Sequence, residues 1–339
     1  MYNNRIINST NKMRTTWNTI KIETNRLKGL TNTTINNYQN PPEVFNKYFL
    51  SITENIIHDN RCNNKQDYNI NKNPKYYLLN LFHKPFPNIK FKNTSTKEMK
   101  KIINSLKTME SSGYHEISTK ILMISAPFIS SPLSYICNKS MLSGTFPTRL
   151  KYAIVKPLLK KGDKENVAHY RPISLLTSFS KVFEKIIYDR LLKHIETNNI
   201  LVAEQFGFRT SSSTEEASYK LIDDILNALN NRVTVGGIFC DLQKAFDCVN
   251  HNIFLTNLEF YGKTRITYKL IKSYLQGRYQ RVVLNNHSSG SCSNWGKITH
   301  SVPQGSVLQL RGLGEVLTTP PCKTSMLRNS HNAFCRDKI

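Results

Sequence analysis

The sequence predicts a mixed fold of helices and strands, α+β or α/β in class, with room for two domains or for one large domain with appendages. Three observations point to it. The 339 residues are 39% hydrophobic and 21% charged, close to globular averages and unlike a disordered chain or a coiled coil. Several segments place apolar residues at helical spacing on one face. Between them lie β-branched and apolar runs that end in turn residues or a carboxylate, which is the signature of strands.

The elements follow in order. Residues 1–94 are rich in asparagine and read as a linker with local helices. One island, Pro42 to Ile52, sets Val44, Phe45, Tyr48, Phe49 and Ile52 on one helical face, and this helix is expected to dock on an apolar surface. From Ser95 a compact domain begins, with Met99, Ile102, Ile103 and Leu106 spaced as a helix. Ser180 to Glu196 carries Val182, Phe183, Ile186, Ile187, Leu191 and Ile195 toward a core, with Lys181, Lys185, Arg190 and Lys193 on a solvated face. A helix over Thr214 to Asn230 starts at Thr214 as N-cap, has Glu215 and Glu216 where the macrodipole favours them, and bears the stripe Ala217, Leu221, Ile225 and Leu229. Val233 to Leu242 reads as a buried strand with Asp241 at its carboxyl end, and Tyr279 to Leu284 as a second strand closed by Asn285-Asn286.

Charge adds a functional direction. Lys plus Arg number 47 against 23 Asp plus Glu, a net charge of +24, so the partner expected is a polyanion. The most apolar stretch, Ile121 to Ile136, is broken by Pro127, Pro132 and serines, and no membrane span is expected. No apolar leader follows Met1. Seven scattered cysteines without a C-x-x-C pair suggest neither a disulfide framework nor a zinc site, and a reducing compartment is expected.

Four segments in fixed order carry more than composition can. They are His169-Tyr170-Arg171-Pro172-Ile173-Ser174-Leu175-Leu176; Glu204-Gln205-Phe206-Gly207-Phe208-Arg209; Phe239-Cys240-Asp241-Leu242-Gln243-Lys244-Ala245-Phe246-Asp247; and Val302-Pro303-Gln304-Gly305-Ser306-Val307-Leu308. Together they resemble the reverse transcriptase of a non-LTR retrotransposon, of the jockey-like or LINE type. Ser111 to Ser118 and the basic run Lys156 to Asp163 fit the same pattern, so the likeness covers Ser95 to Leu308.

The resemblance implies an α+β right-hand polymerase fold: fingers over 95–232 and the first part of the palm over 233–308. It implies an RNA template, a DNA primer and deoxynucleoside triphosphates as partners, and magnesium as cofactor. Asp241 matches the strand-terminal aspartate that is the family's catalytic and metal-binding residue; carboxylate oxygens on a rigid strand end suit a hard cation. Nucleotide binding would fall to Arg171, to Lys156 or Lys160, to Phe246 as a steric gate against a 2′-hydroxyl, and to Gln304 with Gly305. Arginine suits the triphosphate through its planar fork, and glycine permits close backbone approach. Asp247 would be structural rather than a metal ligand, and Asp223-Asp224 a solvated helix face.

Some features depart from the family. Ser301 stands where it usually has glycine, and His115 where it often has aspartate. After Leu308 no Ala-Asp-Asp turn follows; residues 309–339 hold Pro320-Pro321, lack an amphipathic period and read as an out-of-frame tail. The expectation is therefore a polymerase fragment with its thumb absent, inactive as this chain alone. The alternative is a non-catalytic basic protein that binds RNA or single-stranded DNA.

Overall fold

The computed structural model describes residues 40–63, 85–89, 91–108, 113–160, 162–201, 205–207, 212–240, 247–262, 265–284, 291–308 and 332–335, with the single positions 15, 78, 209 and 244. Helix α1 spans Pro41–Asn63. Proline suits a first helical position because its missing N–H would be unpaired there in any case. Asn40 anchors the first turn, its carbonyl accepting the N–H groups of Glu43 and Val44. Of the predicted face, Phe45, Phe49 and Ile52 are buried in a cluster with Val155, Tyr170, Val282 and Leu284, while Val44 and Tyr48 are half-buried. Phe45 meets the Tyr170 ring edge-on at 4.9 Å. Residues 41–63, expected as local helix in a linker, are thus a layer of the folded domain.

Helices α2 (Thr96–Asn104), α3 (Thr119–Ile124) and α4 (Ala126–Ser143) follow. Ser95 caps α2 by accepting the Glu98 N–H, Ser118 caps α3, and Gly144 at φ 69° ends α4. None of the described helices is long and apolar enough to cross a membrane. A 3₁₀ turn, Thr148–Lys151, leads into strand β1 (Tyr152–Leu159), and a second, Val167–His169, into β2 (Tyr170–Leu175).

Helix α5 (Ser178–Thr197) is capped by Thr177 and buries every apolar residue predicted for it. Its Arg190 departs from the expected solvated face. The guanidinium grips both carboxylate oxygens of Glu98 at 2.7 and 2.9 Å, and this pair holds the Glu98 carboxyl below its ordinary range. Helix α6 (Thr214–Asn230) is capped by Ser213, one residue before the predicted Thr214, and none of its residues is buried; Tyr219, Ile222, Leu226 and Leu229 are exposed. Strand β3 is Gly237–Cys240; it begins four residues after the predicted Val233, and Asp241 and Leu242 of the predicted strand lie outside the described residues.

Helices α7 (His251–Phe260) and α8 (Arg265–Leu275) precede β4 (Arg278–Leu284), β5 (Ser291–Cys292) and β6 (Gly296–Ile298). Strand β7 is Asn332–Cys335; it pairs in parallel with β3, so part of the tail expected to be irregular is strand.

The main sheet is mixed and runs β2-β1-β4-β5, with β6 also on β4. β1 pairs antiparallel with β2 and parallel with β4. Helix α1 lies across one face, tied by polar contacts as well as rings. Asn46 donates to the Asn294 carbonyl and accepts from Gln280, and Glu43 accepts the Asn294 N–H. The larger core gathers α2 to α5, α7 and α8 around Met99, Ile103, Phe146, Val182, Ile186 and Ile271. Both the mixed α and β content and the mixed sheet agree with the predicted class.

One backbone feature explains a departure noted in the sequence. Ser301 sits at φ 75°, where glycine is favoured, held by its N–H to the Val249 carbonyl and by its own carbonyl accepting from His251 Nε2 at 2.8 Å. Burial lowers the His251 pKa. Ser301→Gly removes strain of about 1–2 kcal/mol and adds somewhat less unfolded-state entropy, so a net gain of about 0.5–1 kcal/mol is expected. Urea unfolding measures it; a lowered midpoint would show that the hydroxyl contributes more than the backbone strain costs.

Candidate nucleotide and nucleic-acid site

Strand pairing decides which basic residues share a face. In the β1–β2 ladder Leu158 faces Arg171, Lys156 faces Ile173 and Leu159 faces Tyr170. Val155 and Tyr170 point to helix α1, so period-two alternation puts Lys156, Leu158 and Arg171 on the opposite face. Arg171 is exposed there, as is Leu158. Lys160 continues the ladder, its N–H donating to the His169 carbonyl at 2.9 Å. Lys156 and Lys160 are therefore diagonal neighbours of Arg171 on its two sides. Three cations on one face of a hairpin suit a polyphosphate.

The Pro303-Gln304-Gly305 segment docks against the free edge of β2. The Ser174 N–H donates to the Gln304 carbonyl at 2.8 Å, and the Ser306 N–H closes the turn onto the Pro303 carbonyl at 3.0 Å. Gly305 has φ +110°, and a Cβ there would stand 3.0 Å from the Ser174 carbonyl oxygen. Glycine is thus required twice, by conformation and by the neighbouring backbone.

The Gln304 side chain turns inward and donates to Asp247 Oδ1 at 2.7 Å. Burial raises the Asp247 pKa, against the Gln304 hydrogen bond and the positive charges of Lys244 and Arg171. The Asp247 carbonyl accepts the Thr53 hydroxyl of helix α1 at 3.0 Å, and the Asp247 N–H donates to the Lys244 carbonyl. Lys244, at φ 50°, donates to the Tyr48 hydroxyl at 2.8 Å. Asp247 thereby joins helix α1, the turn after β3 and the Gln304 segment, and its carboxylate is engaged inside the protein.

Asp241 and Phe246 lie outside the described residues, as do Glu204 and Phe208 of the second segment. Among the described residues no group of three or more His, Cys, Asp or Glu could hold a metal ion. Asp247, the nearest described carboxylate in sequence, is committed to Gln304, so the described residues do not by themselves form a magnesium site. Asp223 and Asp224 sit on α6, where Asp223 accepts from Asn227 at 3.2 Å.

The same sheet face carries an aromatic cluster that sequence reading missed. Register sets Tyr152 beside Tyr279 and Ile154 beside Arg281. The Tyr152 and Tyr279 rings stack at 5.4 Å, Trp295 meets Tyr152 edge-on at 5.0 Å, and Tyr114 lies 5.5 Å from Tyr152. The Arg281 guanidinium lies over Trp295 at 4.8 Å, and Trp295 remains 38% exposed. Alternation along β1 continues this patch through Ile154 to Lys156 and Arg171. A basic face with exposed π-surface is the chemistry that holds unpaired nucleic acid. No local signal marks these residues, because β1 and β4 meet only through the fold.

Gly305→Ala adds a methyl against Ser174 and forces a conformation that L side chains rarely adopt. It is expected to cost about 2 kcal/mol or more in urea unfolding, with the loss centred on the β2 edge. A neutral substitution would mean that the Gly305 segment is not held against β2.

Residues 159–308 match the family model of the reverse transcriptase (RNA-dependent DNA polymerase). Over 167 residues the chain is 37% identical to a probable RNA-directed DNA polymerase from transposon X-element of Drosophila melanogaster, covering 48% of this chain and 18% of that protein. It is 31% identical over 212 residues to the RNA-directed DNA polymerase from mobile element jockey of Drosophila funebris, covering 62% and 23%. To the probable RNA-directed DNA polymerase from transposon BS of Drosophila melanogaster it is 35% identical over 184 residues, covering 52% and 19%. The chain spans about a fifth of the length of these relatives. The matched residues contain both sides of the β2 contact, Arg171 and Gln304, so it is over residues 159–308 that this chain is similar to the reverse transcriptase family and to the RNA-directed DNA polymerases of mobile elements.

Proposed function

We propose that the chain carries the nucleotide-binding and template-binding part of an RNA-directed DNA polymerase, which adds deoxynucleotides to a DNA primer on an RNA template. The observation that carries this reading is the docking of Gln304 and Gly305 at Ser174 on the edge of β2, the strand that bears Arg171. Two family segments distant in sequence thus meet across a face with Lys156 and Lys160. Arg171 would clamp the triphosphate, with Lys156 or Lys160 beside it; Gly305 would let the backbone approach the incoming nucleotide. Residues 95–232 would be the fingers and 233–308 the start of the palm.

Asp241 follows the end of β3 and is the residue that would hold the family's magnesium ions. Bound there, the cations would supply charge neutralisation for phosphoryl transfer. Phe246, five positions on, would reject a 2′-hydroxyl. The aromatic patch of Tyr152, Tyr279 and Trp295 would receive unpaired bases of the template, with Arg281 at its rim.

Two outcomes test binding. Affinity for single-stranded RNA should fall steeply with salt, because phosphate neutralisation releases counterions, and Trp295→Ala should weaken it by about 1 kcal/mol or more through lost stacking. Arg171→Ala should weaken deoxynucleoside triphosphate binding more than RNA binding. Flat salt dependence in filter binding, or equal losses of nucleotide and RNA for Arg171→Ala, would remove these assignments.

Catalysis is tested separately. A polypeptide of these 339 residues is expected to give no primer extension above background with magnesium, since Asp241 is the family carboxylate it supplies. Joined after Leu308 to a relative's following segment, with its Ala-Asp-Asp turn, it should extend, and Asp241→Asn should then abolish extension while Asp247→Asn retains much of it. Phe246→Ala in that protein should admit ribonucleotides. Robust extension by the 339 residues alone, or full activity of the joined Asp241→Asn protein, would refute the site.

A further inference from the structure

The Gln304 segment needs an anchor on the side away from β2, and a buried charge supplies one. Glu184 of helix α5 is 0% exposed. Its Oε2 accepts the N–H of Val307 at 2.8 Å, three residues after Gln304. Its Oε1 accepts the hydroxyls of Ser180 at 3.0 Å and Tyr274 at 3.4 Å. Behind Tyr274 lies Arg278, also 0% exposed, its guanidinium 4.8 Å from the ring centroid and its Nη1 donating to the Tyr274 carbonyl. A carboxylate in the core is retained at a cost unless its lone pairs are used, and here three donors from three elements use them.

Two of those donors, Ser180 and Tyr274, are fixed by the helices that carry them. The third belongs to the segment that must present Gln304 and Gly305. Val302 and Ser306 are buried on either side of the turn, which the Ser306 N–H closes onto the Pro303 carbonyl. The Val307 bond to Glu184 adds the next constraint, on the direction of the peptide that leaves the turn.

We propose that Glu184 is a positioning residue for the nucleotide site: its carboxylate holds the Val307 N–H and so keeps Gln304 directed at Asp247 and Gly305 against β2. This rests on the nucleotide-binding reading above and assigns that site a determinant on helix α5, within the core and outside the four family segments.

The test uses the full chain and two readouts, deoxynucleoside triphosphate affinity against single-stranded RNA affinity, and hydrogen exchange across residues 302–308. Glu184→Leu removes the acceptor and should weaken nucleotide binding about ten-fold or more while RNA affinity stays within about two-fold. Exchange over 302–308 should accelerate while that of α5 is retained. Glu184→Gln keeps an acceptor oxygen in nearly the same volume and should restore nucleotide affinity to within about three-fold of the unchanged chain. Should Glu184→Leu fail to fold, Val307→Pro deletes the donor from the other side and should reproduce the nucleotide loss. Unchanged exchange over 302–308, or equal losses of nucleotide and RNA binding, would overturn the proposal. Absence of nucleotide binding by the unchanged chain would instead refute the reading of the site, and the exchange measurement would still decide the Glu184 contact.

Discussion

A carboxylate without water has to be surrounded by donors, and Glu184 imposes that requirement on the middle of this molecule. Satisfying it brings together α5, which carries the residue, α8, which carries Tyr274, and the segment that carries Val307. Burial raises the Glu184 pKa, and Arg278 and the three hydrogen bonds act against that rise. An apolar residue in its place could fill the volume but could not take the Val307 N–H. The polar centre thus ties α5, α8 and the Val307 segment together by directional bonds that an apolar core does not supply.

The sheet divides the remaining work by alternation. On one face, Val155, Tyr170 and Val282 pack on helix α1; on the other, β1 and β2 bear cations and β1 and β4 bear rings. Neither face could be built alone, because a strand side left without a covering layer would expose Val155 and Tyr170 to water. Helix α1 therefore contributes to the basic face without touching it, by burying the back of the strands that present it. Its Thr53 and Tyr48 also reach the turn after β3, through Asp247 and Lys244. An N-terminal element that reads in sequence as an isolated island is in this way connected to the site.

Much of this was legible and some was not, for identifiable reasons. The core helix from Ser178 to Thr197 was legible because its six predicted apolar residues are all buried, and periodicity reports burial directly. Its Arg190 was misread because the partner, Glu98, is distant in sequence and periodicity carries no information about ion pairs. Helix α6 kept its predicted bounds to within a residue, yet its stripe of Ala217, Leu221, Ile225 and Leu229 is not buried among the described residues, so an apolar stripe there indicates a capacity to pack rather than a contact. Strands β1 and β2 are not predicted from the sequence, because Lys156, Pro157 and Pro172 blur their alternation; motif resemblance singles out Lys156 and Arg171 there without assigning a strand. The aromatic cluster was invisible because it is created by the parallel register of β1 with β4.

The two aspartates of the third family segment show why a motif needs a fold before its residues can be given roles. Composition and spacing alone do not separate Asp241 from Asp247, six positions apart; it is the family resemblance that implies a metal role for the first and a structural one for the second. The structure engages one of them fully: Asp247 takes the Gln304 amide on its side chain, the Thr53 hydroxyl on its carbonyl and the Lys244 carbonyl on its N–H. The Gln304 amide occupies Asp247 Oδ1 at 2.7 Å, and burial raises the pKa of this carboxyl against that hydrogen bond. Spending Asp247 on internal hydrogen bonds fixes the turn between β3 and α7 to the segment that carries Gln304. Asp247 thus ties helix α1, the turn after β3 and the Gln304 segment together, while the metal role proposed for Asp241 rests on the family resemblance.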